Sequence, residues 1–191
     1  MKTFTNDWFN SNVYKFKDLF SKYLNKSEDI QFLEIGSFEG NSSCWFFENY
    51  IQNSKGSSMT CVDTWEGSME HSQQQKSSIW EIFNLNTSEY SPEKFIIKRG
   101  FSKDILKTLK NNSYDFIYVD GSHTAKDVLC DAILGFDLLK PSGIMTFDDY
   151  LWNPYNDMLL SPKPAVDTFM KIYANEISVI EISHQVTVIK K

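Results

Sequence analysis

Arginine is almost missing from this chain: among 19 basic residues only Arg99 is arginine. Nucleic-acid binders carry a basic face and lean on arginine to read bases. With 25 acidic residues and a net charge of −6, that class is not expected. Cysteine is scarce as well. Cys44, Cys61 and Cys130 make an odd three without CxxC spacing, which argues against a disulfide framework or a structural zinc site. All three fall in apolar segments, where a thiol behaves as a small hydrophobe. No apolar run approaches the ~18 residues of a membrane span. The opening MKTFTNDWFNSN lacks the apolar centre of a signal peptide, so a cytoplasmic location is expected. No internal repeat or low-complexity block interrupts the chain.

What is present suits one globular domain of 191 residues, 41% hydrophobic and 23% charged. Five short apolar runs, Ile30–Ile35, Met59–Asp63, Phe95–Lys98, Tyr114–Asp120 and Gly143–Phe147, read as buried strands. The stretches between them leave room for crossover helices, which implies parallel pairing. Thr124–Leu139 is the clearest helix, with Leu129, Ala132, Ile133 and Phe136 at one-face spacing and Pro141 just beyond. Asn41–Tyr50, Ser102–Lys110 and residues 11–24 are expected to be helical. Ile177–Ile182 and Val186–Ile189, three residues apart, predict a closing antiparallel hairpin. Residues 64–93 and 150–164 read as loops, with a short helix over Ser78–Leu85 in the first.

Four motifs sit at the ends of these strands, the edge where α/β folds bind ligands. The first runs from Glu34-Ile35-Gly36 to Gly40-Asn41-Ser42. Its GxxxG places Phe38 where a dinucleotide fingerprint GxGxxG needs its second glycine. A bulky ring there obstructs a pyrophosphate, and the acid Glu34 suits a ligand with an ammonium group. Asp63 ends the next strand, where an acid accepts hydrogen bonds from ribose hydroxyls, and Trp65 offers a ring to a purine or substrate. In Arg99-Gly100-Phe101-Ser102, the serine either caps a helix or meets a ligand. The strongest signal is Asp120-Gly121-Ser122-His123 with Asp148-Asp149 after the following strand. Three converging carboxylates repel one another, and a divalent cation relieves that; oxygen-only ligands suit Mg²⁺ or a similar ion. His123 beside them has a pKa range suited to proton transfer.

EIGSFEG, VDTW and YDFIYVDGSHTAKDVLCDAILGFDLLKPSGIMTFDDY together resemble class I S-adenosylmethionine-dependent methyltransferases. The likeness is to the small methyltransferase domain 24 type, similar to catechol and macrolide-sugar O-methyltransferases. It implies an α/β fold: a Rossmann-like doubly wound sheet of seven strands, mostly parallel, with an antiparallel C-terminal hairpin strand. One domain over 1–191 is expected, residues 1–29 being an N-terminal helical extension. The resemblance implies that Glu34, Gly36, Ser37, Phe38, Gly40 and Ser42 line the methionine end of S-adenosylmethionine. Asp63 would hold the ribose, with Thr64 and Trp65 beside the adenine and Gly100, Phe101 and Ser102 bordering it. Asp120, Asp148 and Asp149 would carry Mg²⁺ or a similar divalent cation, with Asp120 also touching the cofactor. Catechol-type relatives use a lysine where this chain has His123, and sugar-modifying relatives a histidine. His123, with Asp120, is therefore the expected catalytic residue, and a sugar-like or other small-molecule or glycan hydroxyl the expected acceptor. Neither nucleic acid nor membrane is an expected partner, and homo-oligomerisation stays open. A metal-independent methyltransferase acting on nitrogen or another acceptor, and a non-catalytic S-adenosylmethionine-binding domain, are the alternatives.

Overall fold

The computed structural model describes residues 2–24, 29–68 and 71–191. Seven strands form one sheet: β1 (Gln31–Ile35), β2 (Ser58–Asp63), β3 (Phe95–Arg99), β4 (Tyr114–Val119), β5 (Leu139–Phe147), β6 (Ile177–Ile182) and β7 (Val186–Lys190). Their order is β3-β2-β1-β4-β5-β7-β6. The first five are parallel, and β7 runs antiparallel to both β5 and β6. The expected mostly parallel sheet with an antiparallel hairpin is what the chain forms. It starts in mid-sheet at β1, walks outward to β3, then returns to lay β4 on the other side of β1. The loops after β1 and β4 therefore diverge, and a crevice opens between them.

Among the described residues six α-helices flank the sheet: α1 (Val13–Tyr23), α2 (Asn41–Phe46), α3 (Gln73–Thr87), α4 (Ser102–Ile105), α5 (Ala125–Leu138) and α6 (Lys163–Ile172). α2 continues as a π-helical turn over Phe47–Ile51, and α4 as a 3₁₀ turn over Leu106–Thr108. The helix in the 64–93 region is longer than expected. Ser72 caps it through a reciprocal pairing with Gln75, a start signal that apolar periodicity does not reveal. Part of that loop, and residues 25–28 of the N-terminal extension, lie outside the described residues. Among the described residues no helix is long and apolar enough to cross a membrane.

Strand alternation sorts the core into two faces. Leu33, Ile35, Ile117, Val119, Met145 and Phe147 pack against α5 and α6. Phe32, Phe116 and Tyr118 turn to the opposite side, where Phe16 and Phe20 of α1 meet Phe46 of α2. Phe16 stands edge-on to Phe46, their ring centres 5.0 Å apart, and to Tyr118 at 5.4 Å. The N-terminal helix thus closes one side of the sheet. Phe16→Ala is expected to cost ~3–5 kcal/mol in denaturant unfolding. Tyr14→Ala on the exposed face of the same helix should stay within ~0.5 kcal/mol. Equal effects would show that α1 does not belong to the core.

α5 is rotated from its sequence reading. Its buried positions are Val128, Asp131, Ala132, Gly135, Phe136 and Leu138, while Ile133 is exposed. The turn toward Gly135 lets the helix approach β5, where an added Cβ would lie 3.0 Å from Met145 Cε. It also carries an acid, Asp131, inward.

Candidate functional site

A cavity of about 1000 Å³ opens at the C-terminal ends of the parallel strands. Its centre is the turn after β1. Gly36 has φ +89°, and a Cβ added to it would fall on the backbone of Asp120. Asp120 in turn donates its N–H to Ile35 O at 2.8 Å. Only glycine combines that φ with so close an approach. Asp63, at the end of β2, clamps the turn. Its Oδ2 accepts from the N–H of Ser37 at 2.8 Å and of Phe38 at 2.9 Å, and its Oδ1 from Trp65 N–H at 2.7 Å. Gly36, Ser37, Phe38, Ser42, Asp63, Thr64, Gly100, Phe101 and Ser102 all line the cavity, as the motif reading expects.

Three expected cofactor contacts stand behind the wall instead. Glu34 shares the Phe32 face of β1 and is fully buried. The hydroxyls of Ser37 (2.7 Å), Ser42 (2.6 Å) and Ser43 donate to its carboxylate. Burial raises its pKa against those hydrogen bonds. It ties the glycine turn to α2 and is not among the residues that line the cavity. Trp65 is likewise buried, its indole packed on Trp80 and Phe83 and its Nε1–H donating to Phe38 O at 3.0 Å. That ring supports the turn from behind and is not a stacking surface for a purine. Gly40, at the N-terminus of α2, faces the Phe83 ring, 3.1 Å from an added Cβ. Ser102 does not cap α4, whose N-cap position is Phe101.

The acidic cluster gathers at the ends of β4 and β5. Ligand atoms of Asp120, His123 and Asp149 lie within 4.8 Å of one another. His123 Nε2 is 2.9 Å from Asp149 Oδ2, and the His123 ring packs on Trp152 with centres 4.2 Å apart. Asp148 stands beside this trio and is otherwise engaged. It accepts from the Tyr118 hydroxyl through Oδ2 and from Asp149 N–H at 2.8 Å through Oδ1. The compact grouping therefore contains His123 where the motif reading has Asp148. Burial, then the charges of Asp148 and Asp149, push the Asp120 carboxyl well above the usual carboxylate range. Burial and Asp149 raise Asp148 in the same direction. Electrostatically, the pocket favours positive charge.

Several cavity residues were not singled out by the motifs. Trp8 and Phe9 line it from the N-terminal segment. Phe38 stacks on His71, ring centres 4.7 Å apart, and Trp8 stands beside both, 5.5 Å from Phe38 and 6.1 Å from His71. Tyr118 and Asp131 are buried polar-bearing residues within apolar patterns. The one sequence signal for Asp131 is its place three residues after Val128 and one before Ala132, an acid on an inward stripe.

This strand order, glycine turn and acidic edge can be set beside known proteins. A family model described as a methyltransferase domain matches residues 33–150. A protein of Acanthamoeba polyphaga mimivirus is 30% identical over 138 residues, 68% of this chain and 57% of that protein. The chain thus spans little more than half of that relative's length. The O-methyltransferase of Bacillus cereus, solved in complex with SAH, superposes with a TM-score of 0.64 at 17% identity, over 98% of this chain and 84% of that one. The TDP-rhamnose 3′-O-methyltransferase of calicheamicin biosynthesis gives 0.62 at 12% identity, over 94% and 79%. At such identities the structural likeness is one of fold. The family match covers both the glycine turn and the Asp148-Asp149 edge that form the cavity, and the chain accordingly belongs to the family of class I S-adenosylmethionine-dependent methyltransferase domains.

Proposed function

We propose that this chain, working as one domain over 1–191, moves the methyl group of S-adenosylmethionine onto a hydroxyl of a sugar-like or other small-molecule acceptor, with help from a divalent cation. The observation that carries this reading is the Asp120–His123–Asp149 cluster in the cavity wall. Its donor atoms lie within 4.8 Å of one another, a spread that two metal–ligand bonds of ~2.0–2.6 Å can span. The raised carboxyls of Asp120 and Asp148 fit the same ion, because a cation would relieve their repulsion. Asp120 and Asp149 would hold it, with Asp148 as a third ligand. When bound, the cation would supply Lewis acidity that lowers the pKa of the acceptor hydroxyl.

The chain's own residues do the rest. The Gly36–Phe38 turn, clamped by Asp63, shapes the floor on which the sulfonium cofactor would lie. Trp152, packed on His123, and Tyr155 give a sugar ring an aromatic wall. The acceptor proton would leave to the His123 imidazole while its oxygen bonds to the methyl carbon and the carbon–sulfur bond breaks. Holding oxygen and methyl in line supplies much of the rate.

A second reading makes His123 a ligand, favoured by its place in the compact cluster. An imidazole donor suits Mn²⁺, Fe²⁺ or Zn²⁺ better than Mg²⁺. Titration of His123→Ala with Mg²⁺ and Mn²⁺ separates the two. A base predicts unchanged metal affinity and turnover lower by ~10²–10⁴-fold; a ligand predicts that affinity and turnover fall together. Turnover that survives both EDTA and His123→Ala would replace this reading with metal-independent transfer. Cofactor binding without transfer to any hydroxyl in an acceptor panel would leave a binding domain.

A further inference from the structure

Asp131 is the acid that the proposed chemistry does not use. It lies on the second turn of α5, is 2% exposed, and lines the cavity opposite the start of α4. Its Oδ1 is enclosed and accepts no hydrogen bond among the described residues. Among the described residues no lysine or arginine offsets it, and the charge acting on it, Asp127, has the same sign. Burial pushes its carboxyl up to about 7, and the neighbouring Ser102 hydroxyl works against that rise. A buried acceptor left without a donor is costly, and natural cores rarely leave one unless a ligand completes it.

The ligand part that would reach Asp131 follows from strand order. Asp63 ends β2, and Gly100–Ser102 follow β3, one strand further from the β1 turn. A cofactor with its sulfonium near Asp120 and its ribose near Asp63 points its base toward Ser102 and Asp131. Adenine carries one exocyclic donor there, its N6 amine. We propose that Asp131, with Ser102, accepts a hydrogen bond from the adenine amine and so selects an adenosyl over an inosyl cofactor. This rests on the S-adenosylmethionine reading of the cavity.

The test uses the full chain and calorimetric titration with three probes. These are S-adenosylhomocysteine, S-inosylhomocysteine, which has an oxo group in place of the amine, and methylthioadenosine, which keeps the base but lacks the amino-acid end. The native chain should prefer the adenosyl to the inosyl compound by roughly 10–100-fold, the scale of one hydrogen bond to a charged group. Asp131→Ala should bring the two within about threefold. Asp131→Asn, nearly isosteric, offers an amide N–H to the inosyl oxygen and should bind that compound at least as well as the native chain does. Its thermal melt, expected no lower than native because a buried unpaired charge is gone, controls for folding. Discrimination that persists undiminished in Asp131→Ala overturns the proposal. So does a loss of S-adenosylhomocysteine affinity with methylthioadenosine unaffected, which would place Asp131 at the ammonium end. A native chain that binds none of the three defeats the cofactor reading itself, a result distinct from either.

Discussion

Gly36→Ala should lower the melting temperature and abolish S-adenosylhomocysteine binding together. An added Cβ would lie 2.1 Å from the carbonyl oxygen of Asp120 and 2.4 Å from both its carbonyl carbon and the α-carbon of Gly121. Those atoms are backbone and cannot swing aside. The φ of +89° adds strain for any L side chain, ~1–2 kcal/mol by the handedness penalty. Forced overlap in a packed region adds ~1–3 kcal/mol. For a chain of this size a total near ~2–5 kcal/mol means a drop of roughly 4–20 °C. Relief can come only by parting the tips of β1 and β4. That moves Asp120 and unseats the turn that Asp63 clamps. Gly121→Ala is the control. Its added Cβ would make ordinary contacts of 3.5 Å with Ile35, so both stability and binding should be retained. If Gly36→Ala melts within 2 °C of native and binds normally, the close approach of β1 to β4 is wrong.

Asp120→Asn should be more stable than the native chain and nearly inactive. Asp120 is half-buried, and Asp148, Asp149 and Glu34 all act on it with like charge. Its carboxyl is raised in the folded state, so the stability it allows is full below the unfolded-state pKa, near ~4. That stability is lost as pH rises through the folded-state value, where the folded chain must surrender a proton it holds tightly. In chelator at pH 8 the asparagine variant escapes that loss, and a gain of ~1–3 kcal/mol is expected. The loss of melting temperature between pH 5 and pH 8 should also be smaller than in the native chain. Turnover should fall by more than ~10³-fold, since on the proposed mechanism several kcal/mol of transition-state stabilisation would go with the cation's first carboxylate. Melting curves across pH and a methyl-transfer assay on the same samples decide it. A variant that melts lower than native at every pH would make Asp120 a structural acid.

Stability and activity moving in opposite directions is what a site held under electrostatic strain produces. Glu34 is the contrasting case. It is fully buried, but three serine hydroxyls satisfy it.

The strands, their mostly parallel pairing and the closing hairpin were legible because each rests on a local period and on connection length. The edge formed by Asp120, His123, Asp148 and Asp149 was legible for a related reason: residues just past adjacent parallel strands must share one end of the sheet. What the order of residues left open was direction. Glu34 lies one residue before the strand's end, where alternation sends its side chain to the Phe32 face and into the serines of α2. Trp65 follows Asp63 closely, yet a positive φ of 54° turns it inward onto Trp80 and Phe83. Asp131 was hidden in a stripe that reads as apolar, because the rotation of α5 is set by how closely Gly135 lets it approach β5. His123 joined the compact cluster ahead of Asp148 because Tyr118, reaching from the aromatic face, already engages Asp148. Chain order dictates which side chains arrive at the cavity's edge. Which of them face into it depends on contacts between elements far apart in the chain, and those exist only once the sheet and its helices have packed.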